Sequence, residues 1–133
     1  MSDLIFESNR YFTLFDVVVS HGQLLLRAQK NETYSHNIDI VFWDTSYIQL
    51  YTRLYGISIR KVEKNGVISY NSVTEYLNYD KSYLFEVSSG EEVYYVAASY
   101  LKVFENQLAF NETSLGVLEY RGRDNEIATS IKG

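Results

Sequence analysis

The residues able to carry proton or metal chemistry are few and set apart. The 133-residue chain holds His21 and His36 as its two histidines and has no cysteine, which excludes a cysteine nucleophile, a disulfide and a thiolate metal site. His21 stands in VVVSHGQLLLR, between two apolar runs and directly before Gly22. There the glycine supplies the unusual dihedral of a turn, and the histidine occupies an exposed position beside it with no partner to orient it. His36 and Asp39 are separated by two residues in a stretch that reads as strand, where side chains so spaced face opposite ways. Together with Asp44, which reads as a strand-ending turn residue, they predict no metal site.

Asp16 interrupts the otherwise apolar run YFTLFDVVVS. A two-residue loop at His21-Gly22 would place it opposite Arg27 as a cross-strand ion pair; otherwise it faces solvent at a sheet edge. Glu91-Glu92, beside Gly90, reads as a solvated hairpin tip rather than an acid/base pair, because adjacent strand residues point to opposite faces. An enzyme built on this chain would need Asp16, His21 or His36 to converge in a cleft. Neither a phosphate-binding glycine loop nor a G-x-S-x-G nucleophile turn occurs in the sequence, and no cofactor is expected.

Tyrosine is the feature that stands out, with 13 tyrosines against 7 phenylalanines and 1 tryptophan. A phenolic ring is costly to bury without a hydrogen-bond partner and useful where one end is apolar and the other wet. Tyr47, Tyr51 and Tyr55 are evenly spaced in SYIQLYTRLYG, while Tyr94 and Tyr95 put a ring on each face of one strand. These five are the candidate binding residues, because aromatic clusters of this kind mark protein interfaces, although tyrosine is also a good strand former.

The elements that position these residues are strands. Leu24, Leu26 and Ala28 alternate with Gln23, Leu25, Arg27 and Gln29, and the same period of two recurs over Ile38–Trp43, Ile48–Tyr51, Ile57–Arg60 and Tyr83–Val87. Turn residues punctuate them: His21-Gly22, Asn65-Gly66 between Gly56–Lys64 and Val67–Tyr70, and Gly90. The pattern predicts an all-β domain of roughly eight to ten short, mainly antiparallel strands, as a roll, a barrel or a two-layer sandwich. One segment admits a second reading. Residues 91–105 carry Val93, Ala97, Tyr100, Leu101 and Phe104 at helical intervals, yet their β-branched and aromatic content favours strands broken near Ser99 and Asn106. A single domain is expected over 1–120, followed by a polar tail, 121–133, that frays.

The amino terminus lacks the basic start and apolar core of a secretory signal, and no apolar run approaches the ~20 residues of a membrane helix, so a cytoplasmic chain without a membrane partner is expected. A net charge of −5 disfavours nucleic acid and suits docking onto a basic protein. The reading that combines these features is a non-enzymatic interaction module that masks a basic protein partner, in the manner of an adaptor or immunity-type protein. The alternatives are a β-barrel that encloses a small ligand and an enzyme using Asp16, His21 or His36. Unpaired sheet edges without proline also offer a route to a homodimer.

Overall fold

The alternation read from the sequence becomes strands at each stretch that falls within residues 4–62, 83–116 and 121–131, which the computed structural model describes. The strands are β1 (Leu4–Val18), β2 (Gln23–Ala28), β3 (Asn37–Trp43), β4 (Tyr47–Gln49), β5 (Arg53–Val62), β6 (Tyr83–Ser89), β7 (Glu92–Ala98), β8 (Tyr100–Asn106) and β9 (Glu126–Thr129). They form one nine-stranded sheet in the order β4-β7-β6-β5-β1-β2-β3-β8-β9. The fold is all-β, and its ladder does not close.

The sheet nonetheless rolls onto itself. β3 and β4 are consecutive in the chain yet far apart in the sheet, and so are β7 and β8, because both chain segments bend. The first bend is at Asp44, which takes a positive φ of 51°; the second is at Ser99, whose N–H donates to Trp43 O at 2.9 Å while Ser46 N–H donates to Ala97 O at 2.9 Å. The two bends therefore hydrogen-bond to each other's strands. The inner face of the roll holds the main core, in which Phe12, Leu24, Leu26, Ile40, Phe42, Ile59, Phe85, Val87, Val96 and Leu101 are all fully buried.

β1 spans 15 residues and serves two neighbours. Its first part pairs with β5 and its last part with β2, and register shifts fall between Leu4 and Phe6, between Ser8 and Tyr11, and between Leu14 and Asp16. Each bulge adds local twist and bends the strand, which lets a single long strand turn the corner of the roll.

Several expectations are corrected here. The β1–β2 turn runs from Val19 to Gly22 and sets Val18 opposite Gln23, so that Asp16 faces Leu25 rather than Arg27; the bulge after Leu14 then brings Thr13 opposite Arg27. The strands favoured over 91–105 are found as β7 and β8, and the alternative helix is not, because inward-facing Val96, Ala98, Leu101 and Val103 join the main core at strand spacing. The polar tail does not simply fray. Residues 126–129 form β9, Ala128 packs on the main core, and Lys102 Nζ lies 3.0 Å from Glu126 Oε1. The Asn65-Gly66 hairpin lies outside the described residues. The Gly90 turn is found as expected, with φ at +61°, as is the strand break at Ser99.

Gly22 takes φ +61°, and a Cβ there would meet Thr45 N at 3.0 Å and Asp44 Cα at 3.1 Å, both backbone atoms. The first turn is thus locked against the β3–β4 bend, and Gly22 O accepts from Thr45 N–H at 2.9 Å. His21 is exposed. Gly22→Val is expected to destabilise by about 2 kcal/mol or more and His21→Asn by less than about 0.5 kcal/mol, read as shifts in a denaturant midpoint at constant slope. A larger loss for His21→Asn would contradict this account of the turn.

Candidate functional site

Two regions of the outer surface concentrate polar chemistry. The first lies over β2, β3 and β8, where Arg27 and Asp39 sit directly opposite one another across the β2–β3 ladder. Both side chains are fully buried. Arg27 Nε donates to Asp39 Oδ1 at 2.6 Å, Nη2 to Oδ2 at 2.8 Å, and Nη1 to Glu112 O at 2.6 Å. The Phe15 ring covers the guanidinium, its centroid 4.1 Å from Cζ. Asn106 Nδ2 donates to Asp39 Oδ2 at 2.9 Å and to Gly122 O at 3.1 Å, and Asn37 Nδ2 donates to Asn106 Oδ1 at 2.8 Å and to Leu108 O at 2.9 Å.

This network pins the segment that leaves β8 across the outer face of the sheet. The same segment is held by Gln23 Oε1, which accepts from Gly116 N–H at 2.9 Å, and by Asp16 Oδ2, which accepts from Thr113 Oγ1 at 2.7 Å. Beneath it, Leu25, Val41, Phe104 and Leu115 form a second, smaller core. Glu112 stays on the surface, where the Ala109 N–H and then the Arg121 guanidinium hold its carboxyl below the ordinary range. With every charge paired and no surface exposed, the Arg27–Asp39 cluster offers nothing to a substrate. It is structural.

The second region is a groove of about 520 Å³ on the outer face of β1 and β5, lined by Glu7, Ser8, Asn9, Tyr55, Gly56, Ile57, Ser58, Ser88 and Gly90. It exists because the ladder fails there: Ser8 pairs with Ile57 and Tyr11 with Tyr55, so Asn9 and Arg10 together oppose Gly56. Gly56 accommodates the bulge at φ +82°. Arg10 turns away and is buried, donating to His36 O at 2.9 Å and to Gln29 O at 3.0 Å, with its Cζ 4.1 Å from the Tyr34 centroid. Burial lowers its pKa from the ordinary value, an effect countered by Tyr34 and Glu105. At the groove's rim, the rings of Tyr11 and Tyr55 lie 4.5 Å apart at 30°, with Tyr55 77% exposed and Tyr11 41% exposed. Ser58 Oγ is buried in the wall without a hydrogen-bond partner among the described residues.

The candidate tyrosines do not gather at one place. Tyr55 is at the groove, and Tyr51 is exposed between β4 and β5. Tyr47 and Tyr95 pack against Leu84 and Ala97 on the outer face, whereas Tyr94 packs against the main core. The histidines stand at the two ends of the β2–β3 hairpin, His21 before β2 and His36 before β3, about 20 Å apart by the length of the strand between them. Asp16 is engaged by Thr113. No two of these three meet in a cleft, and no group of three or more possible metal ligands occurs among the described residues. No helix among the described residues is long and apolar enough to cross a membrane.

Sequence reading missed Tyr11, the partner of Tyr55, because their contact depends on the β1–β5 register. It also missed the pairing of Arg27 with Asp39. A signal for that pair exists: each is a lone charge in an apolar strand, of opposite sign, on consecutive strands. No family model, curated protein or solved structure matches the chain.

Asp39→Ala, which leaves a buried guanidinium uncompensated, is expected to destabilise by about 3–5 kcal/mol. In a double-mutant cycle, Arg27→Met with Asp39→Leu should lose clearly less than the sum of the two single losses. Additive losses in denaturant unfolding would show that the two side chains act independently.

Proposed function

We propose that this protein is a binding module for a basic protein partner and that the Tyr11–Tyr55 groove is its contact surface. The observation that carries the reading is the tilted pair of exposed rings in contact beside an open groove. Large exposed aromatics that are held rigid on a sheet lose little conformational freedom on binding and are the side chains most often found at the energetic centre of interfaces. Held by its neighbour, Tyr55 presents a ring face to an approaching arginine or lysine, and Glu7 lines the same groove with a carboxylate. Cation–π contact together with a nearby carboxylate is a recognition chemistry for a basic side chain. The net charge of −5 favours the approach of such a partner and makes it sensitive to salt. A cytoplasmic location accords with a chain that has no cysteine.

The test is affinity capture from the native host at low salt with wild type and with the Tyr11→Thr, Tyr55→Thr double variant, in which threonine preserves strand propensity. A specific basic protein should be retained by wild type and lost by the variant. With that protein purified, Tyr55→Thr alone should weaken binding by about tenfold or more, and Glu7→Gln should flatten the salt dependence. Capture of no specific protein, or equal capture by the variant, would overturn the proposal. So would light scattering that gave wild type a mass twice the chain's 15.5 kDa and the double variant a single chain's mass, since the groove would then serve self-association.

A further inference from the structure

We infer that the open seam of the roll is a second, separate site, which binds a small organic anion: a monocarboxylate with a short apolar body, held by Lys61. Across the β5–β6 ladder Lys61 pairs with Phe85, and Tyr83 lies two residues before Phe85 on the same strand. Phe85 and Val87 belong to the main core, so Tyr83, Phe85 and Val87 share the inner face and Lys61 is set opposite them. A lysine on the inner side of a roll is unusual, because an ammonium leaves water only at a cost. Its Nζ lies 3.9 Å from the Tyr83 ring centroid. Among the described residues no carboxylate stands within ion-pair distance of it.

The space that Lys61 faces is a partly enclosed cavity of about 290 Å³ lined by Lys61, Tyr83, Phe85, Ser99, Tyr100, Ser130 and Ile131. These residues come from β5 and β6, from the β7–β8 bend and from the segment just after β9. The cavity therefore lies between the end of the β5–β6 pair, the β7–β8 bend and the segment that follows the edge strand β9. Among the described residues, Glu86 pairs across the ladder with Arg60 and Tyr95, and Glu126 is taken by Lys102.

The chemistry limits the ligand. A single ammonium without an arginine fork matches a monoanion better than a phosphate, whose second charge would stay uncompensated. Phe85 and Ile131 give the rest of the ligand an apolar wall. At about 30 Å³ for one water's share of liquid volume, the cavity has room for about ten water-sized units, which is a small acid and not a long lipid chain. The outer groove plays no part, so this site stands or falls separately from the basic-partner reading.

The experiment is a two-dimensional amide NMR titration of the full chain with phenylacetate and, separately, with phenylacetamide, its neutral counterpart of similar shape. Phenylacetate should shift the amides of Phe85, Ser99, Tyr100 and Ser130 along saturable curves, and phenylacetamide should bind about tenfold more weakly or not at all. Lys61→Met, which keeps the apolar stem, should reduce phenylacetate binding to the level of the amide, and Lys61→Arg should retain most of it. Absence of saturable shifts with phenylacetate would overturn the proposal. Equal affinity for acid and amide in wild type would do so too, and that comparison requires no variant to fold. Undiminished phenylacetate binding by Lys61→Met would show that the ammonium is not the anion's partner.

Discussion

A guanidinium and a carboxylate facing each other with no exposure to water anchor the segment after β8 on the outer face of the sheet. Arg27 and Asp39 project from the outer face of β2 and β3, where a sheet of this kind would otherwise meet solvent. An isolated ion pair so placed would repay its desolvation poorly. Here further hydrogen bonds offset that cost: Arg27 reaches Glu112 O, Asp39 receives Asn106, and Asn106 is held in turn by Asn37. The pair thereby fixes where the segment after β8 crosses the sheet, and that crossing covers Leu25, Val41 and Phe104. β2 is consequently buried on both faces along its whole length.

The rest of the molecule follows from how one long strand is bent. β1 cannot pair with β5 and with β2 as a straight ribbon, and its bulges relieve that conflict. One of them, at Asn9-Arg10, sends Arg10 inward to hold the β2–β3 loop through the carbonyls of Gln29 and His36. It also opens the groove beside Tyr11 and Tyr55. A structural device that turns the strand thus leaves a surface feature with recognition chemistry. The cavity at Lys61 likewise forms where strands end, between the β5–β6 pair, the β7–β8 bend and the segment after β9.

The two proposed sites share a physical logic. A continuous antiparallel ladder satisfies its own backbone and presents alternating side chains, and it leaves no concavity. Concavities appear where pairing is interrupted, and in this fold the interruptions at the β1–β5 bulge and at the seam coincide with aromatic rings. The charges differ: Glu7 lines the outer groove, whereas Lys61 faces the inner cavity. One chain can in this way present opposite preferences on opposite faces of a single sheet.

The period of two in stretches such as QLLLRAQ and IDIVFW was enough to specify strands, because alternating burial is a local property of an extended chain. Gly22 and Gly90 marked their turns for the same reason: a positive φ is a demand that a single residue meets or fails. The helical intervals within 91–105 were resolved by β-branched and aromatic content, again a local matter. Register was not legible. Whether Asp16 faces Arg27 or Leu25 turns on the length of one turn, and a slip of one residue exchanges the two faces of a strand. For that reason the evenly spaced Tyr47, Tyr51 and Tyr55 dispersed, while Tyr55 met Tyr11, more than forty positions away in sequence. The pairing of Arg27 with Asp39 left a trace in the sequence, as lone opposite charges on consecutive apolar strands, whereas the β9 strand within a polar tail and both concavities depend on contacts between distant segments, which no local pattern encodes.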